Sequence, residues 1–310
     1  MNYKIIGFGS ILVMILLIGT QLQQDLSSSD DSKELLLPGL RTNLEAVSGI
    51  QIFGNDGSVR VSIEHRGNQW QISEKSDFAA DFSVISKLLR DLADSEIAER
   101  KTAKAENHEL LGLGKQGDDA GRIVRIVADQ RYEIMIGSSA RNGGTFVRKP
   151  DDDQVYLVSE ALDFGEDPID YVNPVFFSLD SLDVQRVSIA TNGSLLEAFR
   201  DVDTGDMMIE KLPQGAELRY DTIADSLART FVNLRFEDVE PYQEDLFTEP
   251  SRTTVTTSSG DSHTILSQAL DQEYWVQMDQ QWQYRVSKFT FDQLNKTVQD
   301  MLKSESASDD

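Results

Sequence analysis

The sequence predicts an α+β protein with an N-terminal transmembrane helix followed by two tandem α+β repeats of antiparallel strands, each with a covering helix. Three observations predict it. Residues 5–24 carry no charge, close to the roughly 20 residues a helix needs to cross a bilayer. Short alternating apolar runs of strand type recur in the same order in both halves of the chain. Each half also holds a segment with apolar residues at 3–4-residue spacing, the period of an amphipathic helix.

The first segment sets the topology. Lys4 precedes it, and Asp25, Asp30 and Asp31 follow it. That charge asymmetry places the N-terminus in the cytoplasm and the rest outside it; for a bacterial inner membrane the bulk of the chain is then periplasmic. The competing reading is a cleaved signal peptide, whose apolar region is usually about 7–15 residues. The apolar part here is longer, and no small-x-small site follows Gly19-Thr20. Residues 1–24 are therefore read as an anchor and 25–36, rich in Ser and Asp, as a polar stalk.

The first repeat is placed at 37–178. Strands are expected at 49–53, 59–64 and 69–73, with Gly54-Asn55-Asp56-Gly57 and Arg66-Gly67-Asn68 as turns. A helix is expected over 81–98, where Phe82, Ile85, Leu88, Leu89 and Leu92 share a face. Four further strands are expected at 122–128, 132–137, 145–149 and 155–159. The second repeat, 179–303, restates this order about 130 to 140 residues later, too long a period for a solenoid. Val187-Ser188-Ile189 matches Ile50-Gln51-Ile52, strands follow at 195–199 and 207–211, and Ile223, Leu227, Phe231 and Leu234 mark a second helix. Strands at 253–257, 263–266, 274–278 and 282–286 complete it. Phe291, Leu294, Val298 and Met301 (or Leu302) form a closing helix, and 304–310 is an acidic tail.

Taken in order, Leu37-Pro38-Gly39-Leu40, Trp70, Phe78-Ala79-Ala80-Asp81, Glu99-Arg100-Lys101-Thr102, Glu106-Asn107-His108, Leu111-Gly112-Leu113, Ile136-Gly137, Thr145-Phe146-Val147-Arg148 and Val155-Tyr156-Leu157 resemble the bacterial DUF4340 family, a domain of unknown function. The resemblance covers residues 35–159 best. It implies a single-pass envelope protein, encoded beside ABC-2-type transporter subunits and gliding-motility-like auxiliary proteins. It therefore implies ABC-type permease and ATPase partners. It supplies no catalytic residues.

Composition and motifs narrow the function. The chain carries 29 Lys+Arg against 53 Asp+Glu, a net charge of −24, which argues against binding a nucleic-acid backbone. With no cysteine, thiol nucleophiles, disulfides and Cys-ligated metals are excluded. His65, His108 and His263 are far apart, with no metal-binding spacing, and are read as exposed structural residues. Neither a G-x-S-x-G elbow nor a P-loop is present. Asp201-x-Asp203-x-Gly205-Asp206 with Glu210 resembles a fragment of a calcium loop, but it lies between two expected strands and reads as a hairpin turn. Asp151-Asp152-Asp153 likewise reads as a solvated turn. Trp70, Trp275 and Trp282 are assigned to sheet packing.

The acidity is uneven. Residues 151–310 hold 11 basic and 33 acidic side chains, a net of −22, while 1–150 hold 18 and 20. The near-neutral first repeat contains a basic island, Arg100, Lys101 and Lys104, expected to dock a partner. The sequence thus points to a non-enzymatic, membrane-anchored accessory subunit without cofactor or metal. The alternative is an envelope module binding a glycan or peptide in a groove between the repeats.

Overall fold

The computed structural model describes residues 34–303 other than 116, 118 and 119. The transmembrane segment expected at 5–24, most of the stalk and the tail at 304–310 lie outside the described residues. Among those described, no helix is long and apolar enough to cross a membrane.

Glu34, the first described residue, falls inside the expected stalk. Leu36, Leu37 and Leu40 are buried, and Leu35 bridges Glu96. Ten elements build the first unit: β1 (Gly49–Phe53), β2 (Val59–Arg66), β3 (Gln69–Ile72), β4 (Phe78–Ala79), α1 (Phe82–Asp94), β5 (Ile97–Arg100), β6 (Arg122–Val127), β7 (Arg131–Ser139), β8 (Thr145–Arg148) and β9 (Tyr156–Val158). Their nine strands form one sheet in the order β4-β3-β2-β1-β6-β7-β8-β9-β5. Alternation sets the register. Ile50 and Ile52 of β1, Val61 and Ile63 of β2, and Val124 and Ile126 of β6 all turn inward, and Ile52 stands opposite both Val61 and Val124. A one-residue slip would expose all of them. On α1, Ile85, Leu88, Leu89 and Leu92 are buried, and Asp81 caps it by accepting a 2.8 Å hydrogen bond from the Ser83 amide.

A 3-10 turn at Pro168–Tyr171 and the short strand β10 (Val175–Phe177) lead into the second unit. It comprises β11 (Val184–Thr191), β12 (Ser194–Arg200), β13 (Met207–Ile209), α2 (Asp225–Arg229), β14 (Leu234–Arg235), β15 (Asp238–Pro241), β16 (Ser251–Thr257), β17 (Ser262–Leu270), β18 (Glu273–Gln277), β19 (Trp282–Arg285), α3 (Lys288–Leu294) and α4 (Val298–Met301). Eight strands form a sheet in the order β13-β12-β11-β16-β17-β18-β19-β15, and β10 pairs separately with β14.

The two sheets follow one path. In each, the opening strands run outward to one edge, the chain crosses to a strand at the opposite edge, and a four-stranded meander fills the interval. The same path on dissimilar sequences, with one opening strand fewer in the second sheet, follows if the pattern of inward residues, more than their identity, specifies the sheet.

The balance of structure overturns the α+β class. Antiparallel strands dominate, and α1, at 13 residues, is the one substantial helix among the described residues. α1 is also shorter than expected, because the backbone becomes extended at Ser95 to start β5. In the second unit the expected covering helix shrinks to the five residues of α2. The left-handed Asn233, at φ +53°, turns the chain, so that Leu234 pairs in β14 instead of continuing a helix. The expected closing helix is split into α3 and α4, because Asn295 leaves helical geometry and Thr297 starts a new capping box with Asp300.

One continuous cluster of buried apolar side chains runs through both units. Where they meet, Phe78 of β4 lies edge-on to Phe236 and Trp282, with centroids 6.0 and 4.9 Å away. Beside it, Lys75 Nζ reaches Asp238 Oδ1 at 2.5 Å. Aromatic rings thus pack across the junction at this point. Trp275 is buried, and Trp70 and Trp282 pack against the core, consistent with their assignment to packing.

Candidate interaction site

The basic island maps to the outer edge of the first sheet. Arg100 ends β5, an edge strand that pairs with β9. The chain then continues extended: the Lys101 amide donates to the Val155 carbonyl at 2.9 Å, and the Val155 amide to the Thr102 carbonyl at 2.8 Å. Thr102 Oγ1 accepts from the Lys104 amide and the Asn107 side chain, turning the chain into two short 3-10 turns, Ala105–Asn107 and Glu109–Leu111.

Each basic side chain has an acidic neighbour. Arg100 pairs with Glu34 at 2.9 Å, Lys101 with Glu99 at 2.5 Å and Lys104 with Glu106 at 4.0 Å. The hydrogen bond and charge of Glu34 raise the Arg100 pKa above its ordinary value, and its guanidinium lies 5.9 Å from the Tyr156 ring centroid. Such exposed single pairs are worth little against water and salt. An incoming carboxylate therefore replaces an intramolecular one at low cost. Glu34 and Leu35 run alongside this edge, with the Ile97 amide donating to the Glu34 carbonyl at 2.8 Å, so the first described residues lie beside Arg100.

Beneath the edge lies a buried polar brace that the sequence reading missed. His108 is 3 % exposed, not on the surface as expected, and its Nε2 lies 2.9 Å from the Asp153 carbonyl oxygen. Arg148 is 1 % exposed. Its Nη1 donates to the carbonyls of Lys149, Pro150 and Asp152 at 3.1, 2.9 and 3.3 Å, and its Nε to Leu113 at 3.4 Å. Nη2 is buried without a partner. Burial pushes the guanidinium pKa down, while the charges of Asp153, Asp151 and Asp152 oppose that shift. His108 and Arg148 thus clamp the 149–153 turn and the 108–113 segment together. The Asp run is a turn around a buried cation.

Gly112 makes the close approach possible. Its φ is +67°, and a Cβ there would sit 2.4 Å from Ser138 Oγ. The pieces Lys-Thr, Asn-His, Leu-Gly-Leu, Phe-Val-Arg and Val-Tyr-Leu, separate in sequence, converge here. The visible signal for the brace was an arginine placed directly before Lys149-Pro150, a turn whose carbonyls need donors.

The remaining candidates are structural. Asp201 Oδ1 accepts from the Asp203 and Thr204 amides, each at 2.9 Å, which lowers its pKa. Glu210 is taken by Arg186 at 2.6 Å, so the calcium-like sequence is a hairpin turn between β12 and β13. Among the described residues, no group of three or more His, Asp or Glu is placed to hold a metal ion. His65 lies against Trp70 and His263 against Phe177, at centroid distances of 5.0 and 5.1 Å.

Fold and site together define a duplicated antiparallel β protein, its first sheet bearing a braced, charge-paired edge. The chain belongs to the DUF4340 family, a domain of unknown function, whose model matches residues 70–254. The match begins at β3 and ends in β16, so it spans both units, whereas the motif resemblance was concentrated in the first. No curated protein and no solved structure matches the chain.

Proposed function

We propose that this protein is a membrane-anchored, extracytoplasmic accessory subunit of an ABC-type transporter that acts through protein–protein contact at the β5 edge. The observation that carries the reading is the position of Glu34 beside Arg100. Residues 25–33 separate the uncharged stretch from Glu34, and nine extended residues reach at most about 30 Å. An anchor at 5–24 therefore holds the β5 edge near the membrane, where a permease presents its outer loops. The acidic second unit faces away from anionic headgroups. The transporter partner itself comes from the family resemblance.

The test is affinity recovery from membranes with the full chain, comparing wild type with a triple variant, Arg100→Glu, Lys101→Glu and Lys104→Glu. Recovery of permease and ATPase subunits by wild type and its loss in the triple variant support the reading. Absence of both subunits from the wild-type eluate removes the transporter role, and equal recovery by the two proteins removes the β5 edge as the contact.

A further inference from the structure

We propose that a cleft in the second unit binds a monocarboxylate with an apolar body, its carboxylate held by Lys296 with Arg219 at the rim. This goes beyond the accessory role and does not depend on it. The cleft has a volume of about 430 Å³ and lies between α2, the α3–α4 junction and the segment at 219–220, within the range of small-molecule sites. That segment is pinned by the Arg219 amide, which donates to the Met301 carbonyl at 2.9 Å.

The charges in the cleft are arranged against the trend of the unit. Lys296 is half-buried, and its Nζ makes one hydrogen bond, 3.2 Å to Ser226 Oγ, of the three an ammonium can donate. Neither Lys296 nor Arg219 has an ion-pair partner among the described residues. Of the carboxylates that line the same cleft, one is paired with a cation and the other keeps its charge while capping its own helix. Asp292 accepts from Lys288 at 2.7 and 2.9 Å, and Asp300 accepts from the Thr297 amide and hydroxyl, both at 2.8 Å. A half-buried ammonium that no carboxylate contacts directly is costly to keep. Burial accordingly lowers the Lys296 pKa, against the opposing charge of Asp300. The charge of Asp300 acts on Lys296 without making a direct ion pair; a bound carboxylate would supply that pair and an acceptor.

The ligand class follows from the surroundings. Residues 151–310 carry a net charge of −22, a field that disfavours multiply charged anions. Ile223 and Met301 give the cleft an apolar wall, and Tyr220 stands at its mouth. One negative charge on an apolar body fits both features better than inorganic phosphate does.

The experiment titrates the full chain, in detergent, with phenylacetate, its neutral amide phenylacetamide, and inorganic phosphate, reading binding by calorimetry and ligand-observed NMR. Phenylacetate is expected to bind saturably, and at least about tenfold more tightly than phenylacetamide. Lys296→Met, which fills the space of the side chain, and separately Arg219→Gln on the surface, are each expected to weaken phenylacetate binding, the former by about tenfold or more, with the thermal midpoint unchanged or raised. Should Lys296→Met fail to fold, Lys296→Gln takes its place. No saturation by about 10 mM phenylacetate, equal affinity for acid and amide, undiminished binding by the folded Lys296 variant, or a preference for phosphate each overturns the proposal.

Discussion

Arg148 Nη1 lies 2.9 Å from the Pro150 carbonyl oxygen, and the guanidinium that makes this contact has no carboxylate ion-pair partner among the described residues. A buried cation is usually balanced by an anion. Here backbone dipoles do that work, and they belong to the turn carrying three aspartates. Arg148→Ala removes the donor to several carbonyls and leaves a cavity beside Leu113. We expect a loss of about 2–4 kcal/mol in urea unfolding. Arg148→Lys keeps the charge but not the fork and is expected to lose about 1–3 kcal/mol. A change below about 0.5 kcal/mol for Arg148→Ala would show that the 149–153 turn holds itself.

The strands facing sequence neighbours were legible, because alternation such as Gln51 between Ile50 and Ile52 is a local property. Two edge strands, β5 and β15, were not, whereas the edge strand β13 was expected at 207–211. β5 pairs with β9 and β15 with β19, partners distant in sequence. Ile97–Arg100 looks like a helix end followed by a polar link, and Asp238–Pro241 looks like an acidic loop. Proline is tolerated at such an edge. The helices were overestimated because apolar spacing records inward-facing residues without recording whether the backbone between them stays helical. In the candidate site, Arg100, Lys101 and Lys104 were visible as charge. Their acidic partners include Glu34, brought from 66 residues away, and the burial of His108 among polar neighbours left no periodic trace.

The contact between the 108–113 segment and β7 depends on glycine from both sides. A Cβ at Gly137 would lie 2.4 Å from the Leu111 carbonyl oxygen, and one at Gly112 would lie 2.9 Å from the Ser138 amide nitrogen, besides adopting a left-handed backbone. Backbone atoms cannot step aside as a flexible side chain can. Gly137→Ala and Gly112→Ala are each expected to cost about 1–3 kcal/mol, read as a lowered thermal midpoint. By contrast, Gly57→Ala in the β1–β2 turn meets no atom within 4 Å and carries only the strain of its positive φ, so it should cost less than either. An equal loss at all three positions would contradict a close backbone approach at Gly112 and Gly137.

Lys75 and Asp238 join the turn after β3 to β15 at 2.5 Å, with about a fifth of each side chain exposed. Partial burial makes the pair stronger than a surface one, and it leaves a desolvated charge when one partner is removed. Lys75→Met and Asp238→Asn should each lose about 1–2 kcal/mol, with a coupling energy of about 1 kcal/mol in the double-mutant cycle. Phe78→Ala, at the same junction, removes the ring between Phe236 and Trp282 and should cost about 2–4 kcal/mol. Both effects should appear in a single unfolding transition, because one core passes through both units. Separate transitions in wild type would show that the units fold independently.

Two buried phenols contribute to a loss of stability in alkaline solution. Burial raises the pKa of Tyr284 to about 12, with the charge of Asp279 adding to the effect. Burial, then the charge of Asp170, pushes Tyr171 higher still, although Arg122 opposes this. In the unfolded chain both titrate near the ordinary value of about 10. Between about pH 10 and 12 the unfolded state has therefore released protons that the folded state retains, so stability falls as pH rises through that window and is unaffected by these groups below it. Tyr284→Phe keeps the ring against Phe176 and Phe236 and removes the ionisation. Its unfolding free energy should fall less steeply than that of wild type above about pH 10, and should differ little from wild type at neutral pH. Parallel curves for the two proteins from pH 9 to 12 would show that the Tyr284 hydroxyl is not held in a desolvated environment.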